Sequence, residues 1–198
     1  MTVIGITGGS GSGKSTLSRL LATEYGALVL DADAIYHELL EQSADMRLAL
    51  TEAFGTGILS EGKICRKSLA ALVFAKEGAL DLLNSITHPR VTEEIRRRMA
   101  ASEKNICVID AFGLVQSGMH RICDCTVGVL ADRDVRIRRI MARDGLDEMR
   151  AAARIDAQVA EEYYRAHCDT ILVNNGSEAE FLAECRRFCR TLLGKETN

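Results

Sequence analysis

Nine residues near the start of the chain, Gly8-Gly9-Ser10-Gly11-Ser12-Gly13-Lys14-Ser15-Thr16, constrain the fold more than any other segment. They fit the pattern G-x-x-x-x-G-K-S/T. Before them lies a short apolar run, Val3 to Thr7, and after them a helical pattern, Ser15 to Tyr25, with Leu17, Leu20 and Leu21 on one face. A strand, a glycine-rich turn and a helix in that order make a phosphate-binding loop. The glycines let backbone N–H groups ring a phosphate, and the helix adds its positive N-terminal end. The expected nucleotide contacts are Gly11, Ser12, Gly13, Lys14, Ser15 and Thr16. Lys14 can reach the β- and γ-phosphates, and the Ser15 hydroxyl can ligate Mg²⁺.

The rest of the chain supplies a sheet to carry that loop. Gly26 stands where a helix end wants a left-handed residue. Further apolar runs occupy Ala27 to Leu30, Asn105 to Asp110, Thr126 to Leu130 and Thr170 to Val173. Short continuous apolar strands separated by helices predict a parallel sheet covered on both faces. The fold class is therefore α/β, a three-layer α/β/α arrangement with a five-stranded parallel sheet. From about Ala34 to Ser102 the rhythm changes to helix after helix: Met46 to Phe54, Lys67 to Phe74, Ala79 to Ile86 and Pro89 to Met99. Pro89 suits a first helical turn, where its missing N–H costs nothing. The reading is one domain over residues 1–198, with a nucleotide-binding core at about 1–36 and 104–198 and a helical subdomain at about 37–103.

Three further features carry chemistry. Asp33 follows the second strand, at the edge where ligands of open α/β sheets bind, and a hydroxyl acceptor needs a carboxylate there to take its proton. Asp31 and Asp33 are both placed to cap the next helix, and order alone does not choose between capping and chemistry. Asp110 closes the strand Ile106-Cys107-Val108-Ile109, either holding Mg²⁺ through water or satisfied by a turn. Seven arginines fall between Arg133 and Arg154, a run that reads by default as a solvated helix face. Within it Arg139 and Arg143 stand four apart, as a lid at about 139–160 would need to lower an arginine onto a transferring phosphoryl group.

Composition excludes several classes. Lys+Arg 25 against Asp+Glu 28 gives a net charge of −3, so no global field attracts nucleic acid or an anionic membrane. No run approaches the ~20 apolar residues of a membrane span, and the start of the chain lacks the basic region of a signal peptide. Seven scattered cysteines with no CxxC read as reduced thiols, which places the chain in the cytoplasm.

The chain resembles the dephospho-CoA kinases. The resemblance rests on the loop from Thr7 to Ser15, on Asp31-Ala32-Asp33, and on Gly62-Lys63-Ile64-Cys65-Arg66. It continues through Leu83-Asn84-Ser85-Ile86-Thr87-His88-Pro89 and Arg139-Ile140-Met141-Ala142-Arg143-Asp144-Gly145, then Arg154-Ile155 and Gln158, and ends with Asp169 and Asn175-Gly176-Ser177. It implies a P-loop kinase fold and ATP-dependent phosphorylation of the ribose 3′-hydroxyl of dephospho-CoA, the last step of CoA synthesis, with ATP and Mg²⁺. Asp33 would be the base, Lys14 and Ser15 the phosphate and Mg²⁺ contacts, and Arg143 the lid arginine with Arg139 assisting. Asn175 and Gly176 would lie near the adenine. The helical insertion would bind the acceptor, with Arg66 and His88 on its phosphates.

The family's Pro-Leu-Leu-Phe-Glu is here Phe112-Gly113-Leu114-Val115-Gln116, so Gln116 stands near the acceptor site without the family's charge. Cys65 replaces a common Asp, and Cys168 an Ala. Two alternatives stay open: another small-molecule kinase of the nucleoside type, or a non-catalytic CoA or ATP sensor. The sequence argues against a regulatory GTPase, since Asn174-Asn175-Gly176-Ser177 stands where N-K-x-D would follow the strand. The reading is a monomer, with a homo-oligomer as the alternative, acting on a small molecule.

Overall fold

In the computed structural model, which describes residues 1–194, the first half of the chain runs β1 (Thr2–Thr7), α1 (Lys14–Tyr25), β2 (Leu28–Asp31), α2 (Ala32–Gln42), α3 (Ala44–Phe54), β3 (Leu59–Ser60), β4 (Lys63–Ile64), α4 (Arg66–Ala75) and α5 (Ala79–Ala100). The second half runs β5 (Ile106–Asp110), β6 (Cys125–Leu130), α6 (Arg133–Asp144), α7 (Glu148–Asp156), α8 (Glu161–His167), β7 (Thr170–Val173) and α9 (Glu178–Leu193). Two compact units result. One comprises Met1–Leu30 and the described chain from Glu103 onward, the other Asp31–Ser102.

The first unit is built on the five-stranded parallel sheet the apolar runs predict, in the order β2-β5-β1-β6-β7. β1 sits at its centre, with Ile4 opposite Val108 of β5 and Ile6 opposite Val127 of β6. Ile4, Ile6, Val108, Val127 and Val129 are wholly buried. Burying side chains of this size is worth about 1.5–3 kcal/mol each, which is why these strands read as continuous apolar runs. Leu17 and Leu21 of α1 share that core with Phe181, Cys185 and Cys189 of α9. Desolvation pushes both of those thiols up to about 12, so they serve as small apolar side chains. Gly26 ends α1 in the left-handed conformation (φ 67°), as expected. No helix among the described residues is long and apolar enough to cross a membrane.

The second unit packs Leu40, Met46, Leu50, Ile58, Leu69 and Val73 into its own cluster. Two expectations fail here. The sequence predicts separate helices before and after Pro89, but α5 runs unbroken for 22 residues with Pro89 inside it. An interior proline forfeits a hydrogen bond and costs about 3 kcal/mol; the burial of Thr87, Val91 and Ile95 on this helix offsets that cost. The all-helical reading also passed over a small antiparallel hairpin, β3 with β4. Its turn, Glu61-Gly62, has positive φ at both residues (50° and 75°), as tight hairpin turns require. Glu94 and Arg98, four apart on α5, pair at 2.7 Å, and Arg97 joins them at 2.6 Å. Arg97 first, then Arg98, holds the Glu94 carboxyl at about 2.

Candidate active site

The loop between β1 and α1 keeps its shape through glycine geometry and four side chains from the far end of the chain. Gly8 lies at φ 141°, and a Cβ there would stand 2.2 Å from Val129 O. Gly13 lies at φ 108°, and a Cβ there would meet Asn174 Nδ2 at 2.2 Å. Only glycine tolerates either position. Gly13 is also the residue before α1, and no side chain caps that helix. The start of α1 therefore presents the positive end of its helix dipole at the loop, the arrangement that binds an anion.

Lys14 Nζ lies across this loop and donates to Gly8 O at 2.7 Å and to Gly9 O at 3.4 Å. Ser15 is exposed at the start of α1. Ser18, one turn further on, donates from Oγ to Asp110 Oδ2 at 2.7 Å, so Asp110 is held beside α1. Asn174 is 5% exposed; its Nδ2 donates to Ser12 O at 2.8 Å. Arg139 donates to Asn174 O and to Asn174 Oδ1, both at 3.0 Å, and to Gly11 O at 3.4 Å. On the other side Arg136 Nε donates to Ser10 O at 2.9 Å, and Arg136 Nη2 to Gln158 Oε1 at 2.5 Å. Gln158 Oε1 also accepts from Ser10 N at 3.0 Å, while Gln158 Nε2 donates to Ser10 Oγ at 2.8 Å. Burial lowers the pKa of both Arg136 and Arg139 from the usual guanidinium value.

Of the two arginines singled out from the lid pattern, Arg139 reaches the loop and Arg143 does not. Arg143 forms a two-pronged pair with Asp144 at 2.7 and 3.0 Å, and Arg154 of α7 bonds the same carboxylate. Those two guanidiniums, Arg143 first, hold Asp144 at about 2. Arg136 is the arginine that sequence reading missed. Its signal was present: it is three residues before Arg139, and Ile137 and Ile140 bury the adjoining face.

Asn175 Oδ1 accepts from Asp132 N at 2.7 Å, next to the start of α6. Gly176 precedes the capping box of α9, where Ser177 and Glu180 bond each other reciprocally, and a Cβ on Gly176 would strike Glu180 Oε2 at 2.4 Å. Asp169 accepts from Thr126 N and Oγ1 at 2.7 and 2.6 Å, tying the start of β7 to β6. Gln116 is exposed in the segment after β5.

The remaining candidates lie in the second unit. Asp31 caps α2 by accepting from Ala34 N at 2.9 Å, so the capping role falls to Asp31, and Asp33 stands exposed in the first turn of the same helix. Arg66 begins α4 and donates from Nη2 to His37 Nε2 at 3.1 Å. His88 lies inside α5, and burial lowers its pKa below the usual imidazole value.

A phosphate-binding loop at the carboxyl edge of a five-stranded parallel sheet, with basic side chains of a following helix bonded to it, defines a P-loop kinase. Shikimate kinase from Acinetobacter baumannii has the same fold (TM-score 0.58, 17% identity, 100% of this chain and 96% of that one). The sequence narrows the class further. The family model described as dephospho-CoA kinase matches residues 2–180. A dephospho-CoA kinase from Corynebacterium efficiens is 41% identical over 197 residues, 98% of each chain. The solved dephospho-CoA kinase from Campylobacter jejuni superposes with TM-score 0.68 at 26% identity, covering 96% of both chains. The chain belongs to the dephospho-CoA kinase family.

Proposed function

We propose that this protein transfers the γ-phosphoryl group of ATP to the ribose 3′-hydroxyl of dephospho-CoA, giving CoA and ADP. The observation that carries this reading is the family match across residues 2–180. Family members use ATP, and the uncapped start of α1 and the glycine loop suit its phosphates. The acceptor oxygen attacks the γ-phosphorus, the bond to the β,γ-bridging oxygen breaks, and the hydroxyl proton passes to the Asp33 carboxylate. Lys14 offsets charge on the bridging oxygen as it leaves. Arg139 holds the loop, and Arg143 meets the transferring group only when it exchanges its Asp144 partner for phosphate. Arg66 and His88 take the phosphates of the acceptor, and Asn175 with Gly176 borders the adenine.

No group of three His, Cys, Asp or Glu side chains among the described residues could hold a metal alone. The Ser15 hydroxyl and the Asp110 carboxylate are hard oxygen donors, which suits an ion that keeps several waters and shares substrate phosphates. Mg²⁺ bound there would supply charge neutralisation between the phosphates. ADP release measured with ATP, Mg²⁺ and dephospho-CoA, against a panel of nucleosides, tests the reading. Turnover confined to dephospho-CoA is expected; turnover of a nucleoside, or nucleotide binding with no transfer, would replace this assignment by one of its alternatives.

A further inference from the structure

Two buried hydroxyls at the phosphate loop, Ser12 Oγ and Tyr164 OH, have no hydrogen-bonding partner among the described residues. Ser12 is 1% and Tyr164 2% exposed. Both line one cavity of about 20 Å³, together with Gly9, Val129, Arg136 and Glu161. A buried hydroxyl left unpaired costs about 1–3 kcal/mol, and native proteins resolve such pairs with bound water. A cavity needs at least about 10–15 Å³ to admit one water molecule, so this one holds a single guest of that size. Arg136 and Glu161 both line it, so the opposite charges of its wall give no net preference for an ion over water. Desolvation lifts the Tyr164 phenol to about 12, so the hydroxyl keeps its proton and can both donate and accept.

We propose that one water is bound in this cavity and bridges Ser12 Oγ to Tyr164 OH, which makes Tyr164 a positioning residue for the phosphate loop. Ser12 stands between Gly11 and Gly13, both at positive φ, and glycine's wide conformational freedom leaves outside contacts to select this one shape. Asn174 fixes the Ser12 carbonyl, and Arg136 with Gln158 fixes Ser10. The bridged water fixes the Ser12 side chain and ties it to α8. This inference rests on the loop's binding a nucleotide and is independent of the acceptor.

The experiment is ADP affinity by calorimetry on the wild type, Tyr164→Phe, Ser12→Ala and the double variant, with a high-resolution crystal structure of the wild type. Tyr164→Phe keeps the ring and removes only the hydroxyl. Each single variant is expected to weaken ADP binding by about three- to tenfold, the span of one lost hydrogen bond. The double variant should be no weaker than the more affected single one, since all three lose the same bridge. The wild-type crystal should show one water within hydrogen-bond distance of both hydroxyls. A Tyr164→Phe protein of lowered melting temperature but unchanged ADP affinity would mark a merely structural side chain and overturn the proposal. So would single effects that multiply in the double variant, or a wild-type cavity that is dry or holds an ion. A wild type that binds ADP and shows the expected pattern, yet leaves dephospho-CoA untouched, would retain this inference and lose the proposed function.

Discussion

Asn174 uses both ends of its amide: Nδ2 donates to Ser12 O and Oδ1 accepts from Arg139. Replacing it by Ala strands a buried carbonyl and one arm of a half-buried guanidinium at once, so Asn174→Ala should weaken ADP binding at least tenfold, measured by calorimetry, in line with about 1–3 kcal/mol for an unsatisfied buried group. Lys14→Ala removes a preorganised charge and should cost roughly a hundred- to a thousandfold in kcat, the scale of a lost transition-state contact; near wild-type turnover in a folded variant would remove Lys14 from the mechanism. Asp33→Asn should lower kcat about a hundredfold or more with little change in ATP affinity. Asp31→Asn replaces one good capping side chain by another, so Asp31→Ala is the informative change. It should cost about 0.5–2 kcal/mol of stability, read as a lower melting temperature. At this scale the sequence showed the loop, because its glycines and Lys14 have no cheaper explanation. It did not separate Asp31 from Asp33, since both suit a helix start, nor did it show Tyr164, whose hydroxyl matters only through what its burial places opposite it.

The α6 and α7 helices close on each other through Ile137, Ile140, Ala151 and Ile155, and their charges meet at Asp144. The folded Asp144 carboxyl titrates at about 2, below the ordinary 3.8, so its contribution to stability is present above about pH 3.8 and is lost as the pH falls through 2. Hydrogen exchange of α6 and α7 should accelerate over that window, and Asp144→Asn should flatten the dependence. Arg143→Ala should depress kcat more than it raises KM for either substrate, because its ground-state partner is Asp144 and not the loop; a pure KM effect on ATP would make it a nucleotide clamp instead. The arginine run was ambiguous in sequence because helix phase, set here by Ile137 and Ile140, decides which members turn inward. Pro89 misled for a related reason: local preference argued for a break, and burial of Val91 and Ile95 outweighed it. The Glu61-Gly62 hairpin escaped notice because two-residue strands carry no alternation to read.

The strand pattern was legible over the whole molecule because strands buried on both faces leave continuous apolar runs, and five such runs became the five strands of one sheet. The order of strands was not legible, since β5 and β6 flank β1 through pairings set by crossovers rather than by neighbouring sequence. Each unit offers its own readout of ligand. ADP should slow hydrogen exchange in residues 8–16 and around Asn174, and dephospho-CoA should do so within Asp31–Ser102, where Asp33, Arg66 and His88 lie. Acceptor protection absent from that unit would remove Arg66 and His88 from acceptor binding. Gln116, exposed after β5, keeps an acceptor oxygen but no charge. Gln116→Glu should therefore change kcat/KM by less than roughly tenfold, under about 1.4 kcal/mol of barrier. Activity that appears only in Gln116→Glu would establish the sensor reading.

The bond from Asn174 to Ser12 spans 162 positions of the chain. During translation at about 5–20 residues per second, Ser12 leaves the peptidyl-transfer centre roughly 8–30 s before its partner is made. A nascent chain therefore carries the nucleotide-binding motif for most of its synthesis without the last of the side chains that hold it in shape. Nucleotide capture becomes a late event of biogenesis, and a polypeptide cut short before Asn174 keeps the signature while losing its brace.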